Sequence, residues 1–262
     1  MKNSLITITF ILSFCISIIT ATIDNSYAAG SDTESPKQVP WSFEGVSGKF
    51  NIPSIQRGLQ VYREVCASCH GLKRIAYRNL KDIGFSNDEI KQIASEATVL
   101  DGPNDDGEMF ERPGLPSDRF VGPFLNEKAA RAANGGAFPP DLSLMVKARV
   151  DGANYMYSLL TGYGVAPTDF QLAEGKYYNK YFPGGQISMP PPIDDEQVEY
   201  SDGMPATKEQ ITKDVVNFLH WAAEPEMEER KSIGAAVLVY MFIFTLLFYI
   251  AKRRMWAKMK DM

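Results

Sequence analysis

The chain has 262 residues, 45% hydrophobic and 23% charged, a balance that excludes a disordered or collagen-like polypeptide. Its 27 basic residues against 32 acidic ones leave a net charge of −5, which offers no electrostatic footprint for nucleic acid. Three cysteines and two histidines leave little room for a multi-metal enzyme.

Residues 1–28 read as a secretory signal. Lys2 precedes the apolar run Leu5 to Ile19, and the small-x-small site Ser26-Tyr27-Ala28 allows cleavage after Ala28 or Ala29. No arginine occurs before Arg57, whereas a mitochondrial transit peptide is Arg-rich. Residues 29–54 follow as a Ser-, Pro- and Gly-rich extended arm carrying Trp41 and Phe43. From Ser54, the i, i+4, i+7 spacing of Ile55, Leu59 and Tyr62 predicts a helix leading into Cys66. A second helix is expected from Asn87, as N-cap, through Ile90, Ile93 and Ala97.

Between residues 101 and 123, four Pro, four Gly and six acids predict an irregular acidic surface loop. Glu127 to Ala133 is expected as a short helix stopped by Asn134-Gly135-Gly136. Leu142 to Val150 and Tyr155 to Leu160 predict two more helices, and a strand is expected only around Gln186 to Met189. Thr207-x-x-Gln210 resembles a capping box opening a helix with the apolar stripe Ile211, Val215, Leu219 and Ala222.

Ile233 to Ala251 is 19 residues without a charge, roughly 28 Å as a helix and enough for a bilayer core. Lys252, Arg253, Arg254, Lys258 and Lys260 follow it, so the positive-inside rule puts the 252–262 tail in the cytoplasm and residues 29–232 outside. That outer part carries a net −9 once the basic tail is set aside, which suits a basic soluble partner. The expected organisation is a signal peptide (1–28), an extracytoplasmic domain (29–232), a transmembrane helix (233–251) and a basic tail (252–262). The fold class is mainly α, with long irregular loops on one membrane helix.

Cys66-Ala67-Ser68-Cys69-His70 has the C-x-x-C-H spacing of covalent c-type haem attachment: two thioethers to the porphyrin and an adjacent imidazole for the iron. A thioredoxin-type pair would need a βαβ context, and a zinc site more Cys and His than remain. On the other side of the iron, the residues alone leave His220, a methionine or an open site. His220 reads most simply as a polar-face or interface residue. Among 11 methionines, most of them gap fillers, Met189 in Ser188-Met189-Pro190-Pro191-Pro192 lies on a proline-stiffened loop able to reach over a haem. Two filled axial positions imply electron transfer; an open one would imply oxygen or peroxide chemistry.

These motifs, in this order, resemble the cytochrome c1 family, the haem-bearing subunits of the cytochrome bc1 complex. The resemblance rests on Trp41-Ser42-Phe43, Cys66 to His70, the acidic Asp101 to Phe110, Asn134 to Ser143, Ser158 to Tyr163, Met189-Pro190-Pro191 and Trp221 to Pro225. It covers nearly the whole mature chain. It implies a class I cytochrome c-like domain with one haem c on Cys66 and Cys69, and His70 and Met189 as axial ligands. Arg149 matches the position expected to pair with a haem propionate, and Tyr155, Asn134 and Pro140 match pocket-lining positions.

The implied function is one-electron transfer from a Rieske iron–sulfur protein to cytochrome c. The implied setting is a dimeric complex with cytochrome b in a bacterial inner membrane, the haem domain periplasmic. The loop Asp101 to Asp118 is the candidate dock for a basic cytochrome c, against the alternative of packing on neighbouring subunits. No catalytic residue for an organic substrate is implied, and quinol oxidation would belong to cytochrome b. Some bacterial members carry an additional disulfide for which this mature chain has no cysteines, so its ligand loop must be held by packing and prolines. The competing readings are another membrane-anchored monohaem cytochrome, a haem enzyme or gas sensor, and a domain using its cysteines as a disulfide.

Overall fold

The computed structural model describes residues 33–260, so the signal-like segment and its cleavage site lie outside the described residues. Helix α1 (Ile52–Val61) starts two residues before the Ser54 expected: the Asn51 side chain accepts from the Ser54 amide at 3.2 Å, and Pro53 stands in the first turn. It does not stop at Val61. Over Tyr62–Cys66 it widens to a π-turn, in which the Ala67 amide reaches the Tyr62 carbonyl at 2.8 Å. A 3₁₀ segment (Tyr77–Ile83) leads to α2 (Asn87–Ser95). Its cap is Ser86, one residue before the Asn87 expected. Ser86 Oγ accepts from the Glu89 amide, and the Glu89 carboxylate accepts from the Ser86 amide at 2.8 Å, a reciprocal capping box.

The acidic segment is not wholly irregular. Strand β1 (Thr98–Asp101) pairs antiparallel with β2 (Phe110–Pro113), in the register Thr98 with Pro113 and Asp101 with Phe110. Opposite charge explains why strands form amid so much Pro and Gly. Arg112 on β2 binds both Asp101 on β1 and, at 2.6 Å, Asp118 beyond the hairpin. Both carboxylates are held below their ordinary range, chiefly by Arg112.

Helix α3 (Glu127–Ala133) ends at Asn134, as expected, and is capped at its start by Asn126. Leu142 to Val150, expected as a helix, is a series of turns instead. Tertiary bonds compete with helix propagation there: Leu142 N donates to the Gly71 carbonyl at 2.9 Å, and the Asp141 carboxylate takes the Lys73 and Ser143 amides. Helix α4 (Gly152–Thr161) follows. Strands β3 (Tyr177–Tyr178) and β4 (Gln186–Ile187) then make a two-residue antiparallel ladder where the strand was expected. Helix α5 (Lys208–Ala223) is capped by Thr207, whose Oγ1 accepts from the Gln210 backbone N–H, while the Gln210 side-chain Nε2 donates to Asp214 at 3.0 Å. Helix α6 (Met227–Lys260) is the one described helix long and apolar enough to cross a membrane, with a mean hydropathy of 2.4 over its most apolar stretch. The described residues are therefore mainly α with few, short strands.

The core is built on the crossing of α1 and α5. Gly58 makes it possible: a Cβ there would lie 2.1 Å from the Asp214 carbonyl oxygen. Ile55, Leu59 and Tyr62 meet Ile211, Val215, Phe218 and Leu219, all buried. Burying each such large side chain contributes about 1.5–3 kcal/mol. At the same crossing the fully buried Asp214 accepts from Ser54 Oγ at 2.6 Å and from Arg57 at 2.8 and 3.0 Å. These bonds raise the Arg57 pKa further, so the cation is permanent. Breaking one side of a buried pair of this kind costs about 3–5 kcal/mol.

The arm is stitched across α4 and then to the anchor. Asn154 Oδ1 accepts from Val39 N at 3.0 Å and Trp41 Nε1 at 2.8 Å, which buries Trp41. Phe43 stacks on the His220 ring of α5, with centroids 3.7 Å apart. Lys231 at the start of α6 donates to the Phe43 carbonyl at 2.6 Å, and the Glu228 carboxylate accepts from Phe50 N at 2.7 Å. His220 is thus an interface residue with a buried, unpartnered Nδ1.

Burial lowers the His220 pKa from 6.5 to about 4; Glu224 opposes the shift, while Lys147 and Lys231 reinforce it. The folded state binds the proton more weakly than the unfolded chain, so His220 contributes stability that is present above pH 6.5 and lost as pH falls towards 4. His220→Phe is expected to abolish that one-proton slope in thermal unfolding of the detergent-extracted protein between these pH values. An unchanged slope would assign the pH dependence to other groups.

Candidate functional site

The π-turn delivers the cysteines. It ends at Cys66, and the next turn closes by Cys69 N and His70 N both donating to the Cys66 carbonyl, at 3.2 and 2.9 Å. Both thiols are free and half-buried, while Ser68 between them is exposed. Burial pushes the Cys66 thiol up to about 12.

His70 is fixed at both ends. Its Nδ1 lies 2.8 Å from the Pro140 carbonyl, and its own carbonyl accepts from Tyr62 Oη at 3.1 Å. A carbonyl can only accept, so Nδ1 carries the proton and Nε2 is left with the lone pair a metal requires. Burial lowers the His70 pKa against the opposing effects of Pro140 and Asp141, which favours the neutral, ligating imidazole.

Met189 follows β4 and is half-buried. Its side chain packs against the same apolar core as Cys66, Ala67 and Tyr155. Tyr163 Oη donates to the Met189 carbonyl at 3.1 Å. Tyr155, on α4, is half-buried and accepts a hydrogen bond from Arg149, while burial raises its pKa. Arg149 is exposed, and its Nη1 also donates to the Ala148 carbonyl at 3.0 Å. Asn134 is engaged as the terminator of α3, with Nδ2 donating to the Ala130 carbonyl at 2.7 Å. Pro140 is exposed, and what it brings to the site is its carbonyl.

The donor set fits the covalent haem c that the C-x-x-C-H spacing predicts. Two free thiols lie within one turn, a neutral imidazole has its tautomer set by a backbone carbonyl, and a thioether sits on a separate loop against the same core. Sequence reasoning missed three contributors. Tyr62 was visible only as the last residue of a helical face, Tyr163 only within the Ser158 to Tyr163 motif, and Asp141 only within the Asn134 to Ser143 motif. No spacing rule announces that a phenol or a carboxylate will bond a backbone group from another segment.

Comparison with known proteins gives the family. Residues 41–259 match the model of the Cytochrome C1 family. A mitochondrial cytochrome c1 heme protein of Arabidopsis thaliana is 49% identical over 97% of this chain and 80% of its own length. A cytochrome c1 of Rhodospirillum rubrum is 49% identical over 84% of this chain and 87% of its own. A cytochrome b-c1 complex catalytic subunit of Candida albicans is 49% identical over 86% and 79%, respectively. With a family match running from the buried Trp41 through the C-x-x-C-H turn and along nearly all of α6, the chain belongs to the cytochrome c1 family.

Proposed function

We propose that this chain is the membrane-anchored monohaem c subunit of a cytochrome bc1 complex, passing single electrons from a Rieske iron–sulfur protein to cytochrome c. Family membership supports the electron-transfer role. The observation that carries the site assignment is the Cys66–His70 turn with Nδ1 committed to Pro140. Cys66 and Cys69 would hold the haem through thioethers, and His70 Nε2 and Met189 Sδ would be its protein ligands to iron. A haem held this way supplies a one-electron iron couple, and a thioether ligand favours the ferrous form and raises its potential. The protein's own part is to keep both axial positions filled, exclude water and fix the orientation. Arg149 and Tyr155 are the proposed propionate-side pair, with Asn134 and Pro140 at the pocket wall.

The domain assignment follows from the charge pattern: a signal through Ala28, residues 29–232 on the outer side of a bacterial inner membrane, and the basic tail in the cytoplasm. Cytochrome b and the Rieske protein are the partners in a dimeric assembly, a proposal supported by the relative named as a cytochrome b-c1 complex subunit. The acidic hairpin is the proposed dock for a basic cytochrome c. Because Arg112 engages Asp101 and Asp118, the carboxylates left for a partner are Asp105, Asp106, Glu108 and Glu111, all exposed.

Two outcomes are expected. Met189→Leu turns a low-spin haem c spectrum high-spin and lets the reduced protein bind carbon monoxide; a variant that stays low-spin and inert places the sixth ligand elsewhere, with His220 examined first. Asp105→Lys combined with Asp106→Lys slows cytochrome c reduction at low ionic strength by roughly tenfold and flattens its salt dependence. Charge reversal without effect on the rate would assign the hairpin to contacts within the complex.

A further inference from the structure

The Met189 loop lacks the usual means of being held. Strand β4 ends at Ile187, and Pro190, Pro191 and Pro192 have no N–H to donate. The only cysteines beyond the signal-like segment are Cys66 and Cys69, so no disulfide braces it. Two side chains from other segments reach the stretch between. Lys176 Nζ lies 2.5 Å from Ser188 Oγ, at an exposed position where water competes. Tyr163 Oη donates to the carbonyl of Met189 itself, at a half-buried position.

Tyr163 is in turn held by α4 and the hairpin. It follows Gly162, the residue that terminates α4, and its backbone bridges Asn179 antiparallel. Asn179 is fully buried. Its Nδ2 donates to the Leu159 carbonyl at 2.7 Å and its amide to the Gly185 carbonyl at 2.9 Å. Gly185, at φ +69°, permits the reversal into β4, and a Cβ there would lie 2.9 Å from the Phe170 ring. The end of α4, Tyr163, Asn179 and the β3–β4 hairpin therefore form one clamp whose last bond is made to the carbonyl of the ligand residue.

We propose that Tyr163 is a positioning residue for Met189: its hydroxyl holds the ligand loop over the haem in place of a covalent brace. The proposal rests on the reading of Met189 as sixth ligand and adds what keeps it there. A half-buried hydrogen bond of this type favours the bound arrangement by about fivefold over one in which the loop has moved away.

The test is carbon monoxide titration of the reduced, full-length protein in membranes, comparing wild type, Tyr163→Phe, Met189→Leu and Ser54→Ala. Tyr163→Phe is expected to keep a covalent, low-spin haem at rest and to raise the apparent carbon monoxide affinity about fivefold. Ser54→Ala removes a buried hydrogen bond at the α1–α5 crossing; it should lower thermal stability and leave that affinity unchanged. Should Tyr163→Phe accumulate poorly, 4-aminophenylalanine and 4-methylphenylalanine at position 163 are compared. The first keeps a donor at the same reach and the second only the bulk, and a fivefold difference is again expected.

A Tyr163→Phe protein within twofold of wild type, while Met189→Leu binds the gas freely, overturns the positioning role and leaves the ligand assignment standing. Equal affinities in the 4-aminophenylalanine and 4-methylphenylalanine proteins, or an equal rise in Ser54→Ala, also overturn it. A Met189→Leu protein that stays inert removes the ligand assignment, and the positioning role with it.

Discussion

The close approach of α1 and α5 at Gly58 is the constraint on which the rest of this structure depends. With no side chain in the way, the helices meet with backbone facing backbone, and the apolar faces on either side interlock around Phe218, Leu59 and Tyr62. Arg57 and Asp214 fix the rotation of one helix against the other, because a buried carboxylate that accepts from two residues of α1 has few alternative arrangements. Tyr62, at the end of that packed face, then starts the π-turn. The one-residue widening carries the chain into Cys66 and the turn that presents Cys69 and His70. The proposed attachment chemistry therefore starts from the closely packed, buried α1–α5 crossing, which suits a preorganised redox site.

The opposite side of the site is assembled by a different means. His70 is anchored through Tyr62 and the Pro140 carbonyl, whereas Met189 hangs from a two-strand ladder, a run of prolines and a phenol. In the proposed site the two residues would divide the work: His70, just past the π-turn, would define the haem position, and Met189, on its loop, would complete the coordination. The arm and the anchor meet at α5 through Phe43, His220 and Lys231. The haem-bearing core is thereby tied to the membrane helix without a long flexible linker, as suits a subunit that works inside an assembly rather than as a free shuttle.

Features that depend on local chemistry were legible in the sequence. The Cys66–His70 spacing, the cap at Thr207, the stripe on α5 and the charge-free anchor are each properties of a short window; the first lies on the turn that follows the π-turn, and the structure has helices at the others. Met189 stood out among the methionines by its proline-stiffened loop, and the family resemblance then singled it out as the ligand, since a thioether on a loop has no stronger local signature. The failures share a cause. Leu142 to Val150 has helical composition, but Gly71, Lys73 and Asp141 claim its backbone groups. The acidic stretch has loop composition, but Arg112 binds Asp101 across the β1–β2 hairpin and Asp118 beyond it. Ser86 displaced Asn87 as a cap because the Glu89 partner sits three residues after Ser86. In each case long-range or reciprocal bonds overrode a local preference, and His70's bond to Pro140 was invisible for the same reason.

The central claim is that one haem, covalently held at Cys66 and Cys69, has two protein axial ligands, an imidazole and a thioether. Near-infrared magnetic circular dichroism of the oxidised, full-length protein in membranes tests it most directly, because the ligand-to-iron charge-transfer band differs between His/Met, bis-His and high-spin haem. The account predicts a single low-spin His/Met band. A bis-His band would place His220 or another ligand on the iron, and a high-spin band would leave an open coordination position; either would contradict the account.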